Sequence, residues 1–381
     1  MTKSHSQDFL FLTGKKVFHK KEKPVSGPCP KLFDTEVQVN RKMRRAVARY
    51  VGGILRYPGK KNCSAIARAS SVNHDAVYEF FENPLDDTII LQMFLDKVIA
   101  FLPLKSGNWY INIDETMIDK VFSTKIEAVA YNYSSTHSDT IKGLSIVVAV
   151  ITNGRITIPI TFKTWLSSKQ FPDKHKTRIE LAQQLMIDIQ KQAPGIMFLM
   201  DGAFSSEGML RFCLEHKMKY CMRFHSNKKV IVDGELAQVR QHDGIKISNK
   251  KKGRVVKGLY KGIEVFLVAF RRKEKRSGVK IIYLVTSENE SPKKMISTYK
   301  KRWAIEKVFR TAKQHLGLRD CQARNASKQE AHIFAVFVAY SFLEIHKFHR
   351  GAKNPEQILH KLRGHRPGQL RDQFETFCSL A

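Results

Sequence analysis

Between residues 105 and 224, the hydrophobic and polar residues form strand-like patterns first and then alternating helix-like and strand-like patterns. The segments GLSIVVAVITN and RITIPITFKTW are mostly apolar and are joined by Asn153–Gly154, which predicts two antiparallel strands connected by a tight turn. KTRIELAQQLMIDIQKQ carries apolar residues at helical spacing and predicts an amphipathic helix. A continuous apolar run, a helix near Ser206–His216 and the strand KYCMRFH follow. Strands that give way to alternating helices and strands predict an α/β fold.

The segments on either side of this region have other patterns. Residues 37–104 are predicted to be helical, and SAIARASSVNHDAVYEFFE within them fits either a helix-turn-helix or part of a plain helical bundle. Residues 225–285 alternate apolar and basic positions and predict β-strands. Residues 1–36 are predicted to be a basic arm without a core of its own, and residues 346–381 a polar helical tail. The apolar run Ile333–Leu343 predicts a buried core helix.

Two aspartates follow short apolar strands. Asp114 is predicted to end the strand Trp109–Ile113, and Asp201 follows the apolar run Ile196–Met200. Acids at the carboxyl ends of buried strands open into the crevice where α/β sheets bind ligands. An alternative is that each aspartate only ends its strand and caps the following turn.

A stripe of polar residues is predicted on one helix within STYKKRWAIEKVFRTAKQHLGL. Four side chains would fall within about 60° of one another at helical spacing: Tyr299, Arg302, Glu306 and Lys313. An adjoining apolar stripe would anchor the helix to a core: Ile305, Phe309, Ala312 and Leu316. The alternative is a solvated charged face. Together with the two aspartates, Glu306 completes three carboxylates, the hard oxygen ligands that Mg²⁺ or Mn²⁺ prefers.

The order and spacing of these residues carry a family resemblance. Asp114 and Asp201 precede Glu306, which lies in the pattern Y-(2)-R-(3)-E-(6)-K without a departure in spacing. The pattern resembles that of the DDE transposases of bacterial insertion sequences, specifically the YREK-signature (IS-four) family, over roughly residues 105–345.

The resemblance implies an RNase H-like catalytic core in two parts, residues 105–224 and 286–345. A β-rich insertion would separate the parts, and residues 37–104 would be an N-terminal helical DNA-binding region. The three acids would hold two divalent ions, Mg²⁺ or Mn²⁺. The implied partner is double-stranded DNA, both transposon terminal inverted repeats and target DNA, with a homodimer in the DNA complex. DNA phosphates would be contacted by Tyr299, Arg302 and Lys313.

The activity implied is metal-dependent strand cleavage at transposon ends followed by strand transfer into target DNA. Members of the family can use a hairpin step in which an aromatic residue receives a flipped base. Trp303 is a candidate for that role, although core packing would equally explain a lone tryptophan. Two alternatives remain open: an RNase H-like nuclease without strand transfer, and an inactive DNA-binding regulator derived from a transposase.

The charge of the chain independently indicates a polyanionic partner. The formal net charge is +31 over 381 residues. Residues 1–60 contain 14 Lys or Arg against 4 acids, and residues 246–280 contain 13 against 2. In the second block, Arg271–Arg276 and a lysine run are predicted on turns that face DNA: Lys250, Lys251 and Lys252. The alternative is a basic hairpin whose lysines prevent edge pairing.

Other classes of function are disfavoured. The six cysteines form no CxxC pair, which predicts reduced structural thiols. The sequence contains no GxxxxGK[ST] loop, so we expect no nucleotide cofactor. Because no apolar stretch approaches the length of a membrane span and no signal-peptide pattern begins the chain, we expect a cytoplasmic, nucleoid-associated bacterial protein without membrane contact.

Overall fold

A mixed β-sheet runs through the part of the chain that the structure describes. The computed structural model describes residues 41–82, 108–134, 138–247, 253–274 and 278–364. The strands, in chain order, are β1 (Tyr110–Asp119), β2 (Ala130–Ser134), β3 (Asp139–Thr152), β4 (Thr157–Thr164), β5 (Met197–Met200), β6 (Lys219–Phe224), β7 (Lys229–Val232), β8 (Glu235–Gln238), β9 (Gly253–Tyr260), β10 (Ile263–Glu274) and β11 (Gly278–Thr286).

Helices cover both faces of the sheet and join its parts. Within the same described residues they are α1 (Arg41–Arg56), α2 (Cys63–Ser70), α3 (His74–Glu82), α4 (Arg178–Gln192), α5 (Glu207–Glu215), α6 (Pro292–Lys300), α7 (Trp303–His315), α8 (Ala326–His349) and α9 (Pro355–Arg363).

The first part of the sheet has the arrangement of an RNase H-like core. Strand β3 pairs antiparallel with both β1 and β4, whereas β1, β5 and β6 pair in parallel. Parallel pairing requires crossover segments, and α4 and α5 lie in the segments that lead into β5 and β6. The α/β fold with an RNase H-like core is therefore confirmed.

Local sequence explains where these elements begin and turn. The predicted β3–β4 hairpin is present, and its turn places Gly154 at a φ of +93°, a conformation that glycine adopts without a steric penalty. The predicted amphipathic helix is α4. Its first turn is closed by a capping box in which Thr177 and Glu180 satisfy each other's backbone N–H groups.

The strands after β6 continue the core sheet. The order across the sheet is β2–β3–β1–β5–β6–β11–β10–β9–β7–β8, with β4 paired to β3 beside this path. Strand β11 pairs antiparallel with β6, so strands β7 to β11 extend the core sheet. Arg271 and Arg272 lie within β10, which corrects the prediction that they occupy a turn. The reason is that β10 runs for twelve residues and stays paired with β11 through this basic stretch. The predicted DNA contacts Lys250, Lys251 and Lys252 lie outside the described residues.

Helix α8 is the centre of the helical layer. Every residue from Ala331 to His346 is buried, as predicted for the apolar run within it. By length and composition alone α8 could cross a membrane, but 89% of its apolar window is buried inside the protein. A core helix accounts for this composition, because α8 packs against β4, α1, α7 and α9.

The N-terminal helices share this core. The ring of Tyr50 on α1 stacks on Phe80 of α3 at 4.5 Å, and its hydroxyl lies 2.9 Å from His332 on α8. Helix α1 carries six basic residues in sixteen, whereas α3 carries three acids and no Lys or Arg. The positive charge of this region thus lies on α1, and not on the second helix of the helix-turn-helix alternative.

Candidate active site and basic cleft

Strand register places the two aspartates side by side. Strands β1 and β5 pair in parallel up to Ile113 and Met200. Asp114, the next residue of β1, therefore lies beside Asp201, the residue that directly follows β5. The prediction that Asp114 ends its strand is wrong, because β1 continues to Asp119 and Asp114 stays paired with Val148 of β3. Strand β5 ends just before this position. Beside Asp114, the edge of β1 that faces β5 therefore has no strand partner.

The capping alternative does not describe Asp201. Its side chain makes no capping hydrogen bond to the short helical turn Gly202–Phe204 that follows. The carboxylate of Asp114 accepts one local hydrogen bond at 2.9 Å, from the backbone N–H of Glu115. Both carboxyl groups therefore retain oxygen atoms that can interact across the end of β5.

The predicted polar stripe does not lie on one helix. Helix α6 ends at Lys300 and α7 begins at Trp303, with hydrogen bonds between residues three apart at the joint. The cause is a tertiary contact: the amide of the buried Asn112 on β1 donates to the carbonyls of Lys301 and Arg302 at 2.9 and 3.3 Å. These carbonyls would otherwise serve a continuous α-helix. The apolar stripe of α7 is buried as predicted.

Arg302 connects the acids of the strand and the helix. Its Nη1 lies 3.1 Å from Asp114 Oδ2 and its Nη2 lies 2.5 Å from Glu306 Oε1. The guanidinium also lies 5.8 Å from the centre of the Tyr299 ring. A mostly buried cation held between two carboxylates is a charge-assisted arrangement that fixes both acids.

Burial and charged neighbours perturb the titration of Asp114. Burial raises the pKa of Asp114 to about 7, with Asp201 and Glu306 adding to the rise and Arg302 and the Glu115 N–H opposing it. Burial lowers the pKa of Arg302, but Tyr299 and the three carboxylates outweigh it and raise that pKa overall. Arg302 thus senses the three acids at once, which indicates that they lie around one position.

The other residues predicted to contact DNA differ in their burial and in their neighbours. Burial raises the pKa of Tyr299, and its hydroxyl has no hydrogen-bond partner among the described residues. The side chain of Trp303 is 51% exposed, so the core-packing alternative is wrong. Lys313 lies two turns beyond Glu306, near the ion pair of Asp119 and Arg319, and burial followed by the Arg319 charge lowers its pKa to about 8.

A basic cleft of about 1540 Å³ adjoins the acids. Asp201, Tyr299, Arg302 and Trp303 line one part of it, and the insertion strands and α6 line the rest. Its lining contains one acid and eight basic residues: Arg223, Arg271, Arg272, Lys273, Lys293, Lys300, Arg302 and Lys307. Sequence reasoning missed Arg223 and the last three lysines. The seven-residue spacing of those lysines is a signal that would have found them.

The carboxylates suit a divalent cation by chemistry. Nowhere in the described residues is a group of three His, Cys, Asp or Glu side chains arranged to hold a metal ion. The carboxylates of Asp114 and Glu306 are paired with the positively charged guanidinium of Arg302. Burial, with a smaller contribution from the charges of Asp201 and Glu306, raises the pKa of Asp114, and carboxylates in such surroundings are nevertheless a donor set that a hard dication stabilises.

Comparison with known proteins identifies the family. The family model for the transposase DDE domain matches residues 110–342, so the chain belongs to this family. Domains of this family generally act on DNA with divalent metal ions. The chain is also similar to a curated protein of Sinorhizobium fredii named "Putative transposase y4zB", with 29% identity over 154 residues, or 40% of this chain. The match covers 42% of that relative's length.

Proposed function

We propose that this chain is a transposase of the YREK-signature (IS-four) type, which cleaves DNA at transposon ends and transfers the freed strand into target DNA. One arrangement supports the proposal: Asp114 and Asp201 directly follow the paired residues Ile113 and Met200, and Arg302, which lines the basic cleft, links Asp114 to Glu306. The three acids come from three separate elements, so the fold itself brings them together.

Asp114, Asp201 and Glu306 would hold two divalent ions, Mg²⁺ or Mn²⁺. When bound, such ions supply positive charge that offsets the charge developing on the phosphodiester. The side chains around them orient the DNA. Arg302 lies within reach of the acids and would bind phosphate oxygens. The hydroxyl of Tyr299, which has no hydrogen-bond partner in the described part of the chain, would donate to one of these oxygens.

The basic cleft would carry the DNA that flanks the reacting phosphodiester. Three of its four lysines, Lys293, Lys300 and Lys307, lie on α6 and α7, before and after the joint that positions Arg302. Phosphate contacts of this kind fix the register of DNA without reading its sequence. Lys313 and the basic helix α1 would add contacts outside the cleft, and recognition of the terminal inverted repeat would involve the N-terminal helices of a homodimer.

A cleavage assay on the terminal inverted repeat tests the proposal. Amide variants of the three acids (Asp114→Asn, Asp201→Asn and Glu306→Gln) keep the side-chain shape but remove the anionic charge. We expect each to lose more than about 10²-fold in cleavage rate while DNA binding is retained. Asp188→Asn, an exposed acid on α4, is the matched control and should cleave normally. Normal cleavage by any one of the three variants would remove that residue from the site.

A second readout separates the alternatives. A pre-cleaved transposon end is incubated with the wild-type chain, a divalent metal and a target plasmid. Joined products support a transposase. Cleavage of intact ends with no joining would indicate a nuclease of the same fold, and binding with neither activity would indicate a DNA-binding regulator.

A further inference from the structure

Three aromatic side chains project into solvent at one edge of the sheet. Phe122 is 98% exposed, and Tyr131 and Tyr133 on the edge strand β2 are 67% and 69% exposed. Isolated exposed apolar residues need no explanation, but exposed aromatic residues on neighbouring segments are typical of an interaction surface. The turn of Phe122 is a neighbour of β2, because Lys142 of β3 accepts a hydrogen bond from the Lys120 N–H of this turn and also lies opposite Tyr131. We call these three residues the aromatic patch.

The turn that carries Phe122 is firmly held. The backbone N–H of Lys120 donates to the carbonyl of Lys142 at 3.0 Å, and the N–H of Ser123 closes the turn on Lys120 at 2.9 Å. The buried ammonium of Lys120 donates to the carbonyls of Arg319 and Cys321 at 2.9 and 2.5 Å. Burying a lysine has a free-energy cost, which the two hydrogen bonds of the Lys120 ammonium offset. Together with the backbone hydrogen bonds, they hold the turn that presents Phe122.

Register places the tyrosines on the same sheet face as Asp114. Directly opposed residues in antiparallel strands share a face, and Asp114 opposes Val148 while Tyr131 opposes Lys142 on the same strand, β3. Val148 and Lys142 are six residues apart, an even number, so both point to that face. The opposite face is covered by α4, whose Arg178 contacts Asn132 at 2.6 Å.

The distance from the acids to the patch matches several nucleotides. Six residues along β3 correspond to about 20 Å, and the eight residues to the partner of Tyr133 correspond to about 27 Å. Successive nucleotides of one strand rise about 3.4 Å, so the patch lies roughly six to eight nucleotides from the acids. A basic side chain accompanies the tyrosines: the ammonium of Lys142 lies 5.3 Å from the centre of the Tyr131 ring.

We propose that the aromatic patch binds duplex DNA, with Phe122 inserting between base pairs and Tyr131 and Tyr133 contacting the opened step. The occupant is DNA because the two tyrosines share the sheet face of Asp114 and lie beside the Lys142 ammonium, within a chain of net charge +31. Apolar side chains that insert in this way unstack a base step and bend the duplex. The predicted position of the opened step rests on the proposed function, because it is counted from the scissile phosphate.

The test uses the full-length chain in EDTA, bound to a terminal-repeat duplex of about 40 base pairs, roughly four helical turns. A fluorescent aminopurine replaces one base at a time, and its emission rises when the base unstacks. We expect a maximum roughly six to eight nucleotides from the scissile phosphate. Phe122→Ser should abolish that maximum and weaken binding at least about fivefold, whereas Phe122→Leu should retain both because leucine also wedges.

Matched controls and a second variant complete the design. The double substitution Tyr131→Ala and Tyr133→Ala should also reduce the emission. Leu236→Ala, equally exposed at 62% but on β8 at the other end of the sheet, should change nothing. Wild-type emission in both the Phe122→Ser and the double variant would overturn the proposal. The proposal would also be overturned if these variants changed oligomeric state in the absence of DNA while their emission stayed at the wild-type level. The patch would then be a protein interface.

This outcome can be separated from that of the proposed function. Cleavage with Mg²⁺ is measured on the same duplexes. Normal cleavage without any unstacked base would overturn only the aromatic-patch proposal. An unstacked base without any cleavage would contradict only the proposed function.

Discussion

His332 provides a quantitative test of how the N-terminal helices are joined to the core. Its Nε2 lies 2.8 Å from the carbonyl oxygen of Gly317, which can only accept, so Nε2 carries the proton. Its Nδ1 is then the acceptor for the hydroxyl of Tyr50 at 2.9 Å. Acceptance at Nδ1 requires a neutral ring, because both ring nitrogens are donors in the protonated form. Burial lowers the pKa of His332 to about 4, with the Gly317 contact opposing this.

The magnitude follows from linkage between protonation and unfolding. A histidine in an unfolded chain has a pKa of about 6.5, so it binds a proton below that pH, whereas the folded chain does so only near pH 4. The stabilisation is fully present above about pH 6.5 and falls by about 1.4 kcal/mol per pH unit as the pH drops toward 4. Between about pH 7 and 5 the loss is about 2 kcal/mol.

Urea unfolding of the wild-type chain and of His332→Gln checks this value. Glutamine keeps one donor and one acceptor but does not titrate, so the variant should be less stable at neutral pH and lose less stability in acid. We expect the wild type to lose about 2 kcal/mol more than the variant between about pH 7 and 5. His346, whose pKa burial lowers to about 4 as well, is common to both proteins and cancels in the difference. Equal pH dependence in the two proteins would refute the argument.

Three further predictions concern the site. Cleavage should require Mg²⁺ or Mn²⁺ and fail with Ca²⁺, whose looser coordination misplaces the reacting groups, and full activity in EDTA would contradict the metal mechanism. Asn112→Ala should destabilise the fold by about 1–3 kcal/mol in urea and also slow cleavage, because the helix joint loses its two side-chain hydrogen bonds. Unchanged cleavage would show that the joint does not position the site. Substituting by glutamine the three cleft lysines that lie on helices, Lys293, Lys300 and Lys307, should lower the salt slope of DNA binding by about 2.7. An unchanged slope relative to a Lys191→Gln control would exclude the cleft.

The sequence predicted elements whose information is local. The β3–β4 hairpin, the capped helix α4 and the apolar stripe of α7 depend on neighbouring residues, and all three are present in the structure. The order and spacing of the three acids led to the transposase DDE family, which the family model confirms. Their roles in catalysis remain predictions.

The rest depends on contacts between residues far apart in the chain. Asn112 interrupts the predicted helix from 189 residues away, and no helical pattern encodes that contact. Asp114 lies within a strand because β3 continues beyond the end of β5, a matter of strand pairing. The basic cleft likewise collects Arg223 and the cations of β10 from strands that become neighbours only through β11.

The pairing of β11 with β6 has a consequence for how this protein can move and evolve. Thr286 at the end of the insertion lies opposite Cys221 in the core, so the two regions share one hydrogen-bonded ladder. A domain on a flexible tether could swing or be removed, but these strands cannot rotate without breaking backbone hydrogen bonds of the core. The basic wall of the cleft is thereby held at a fixed distance from the acids. Deleting residues 225–285 would leave β6 as an unprotected edge, a template for aggregation.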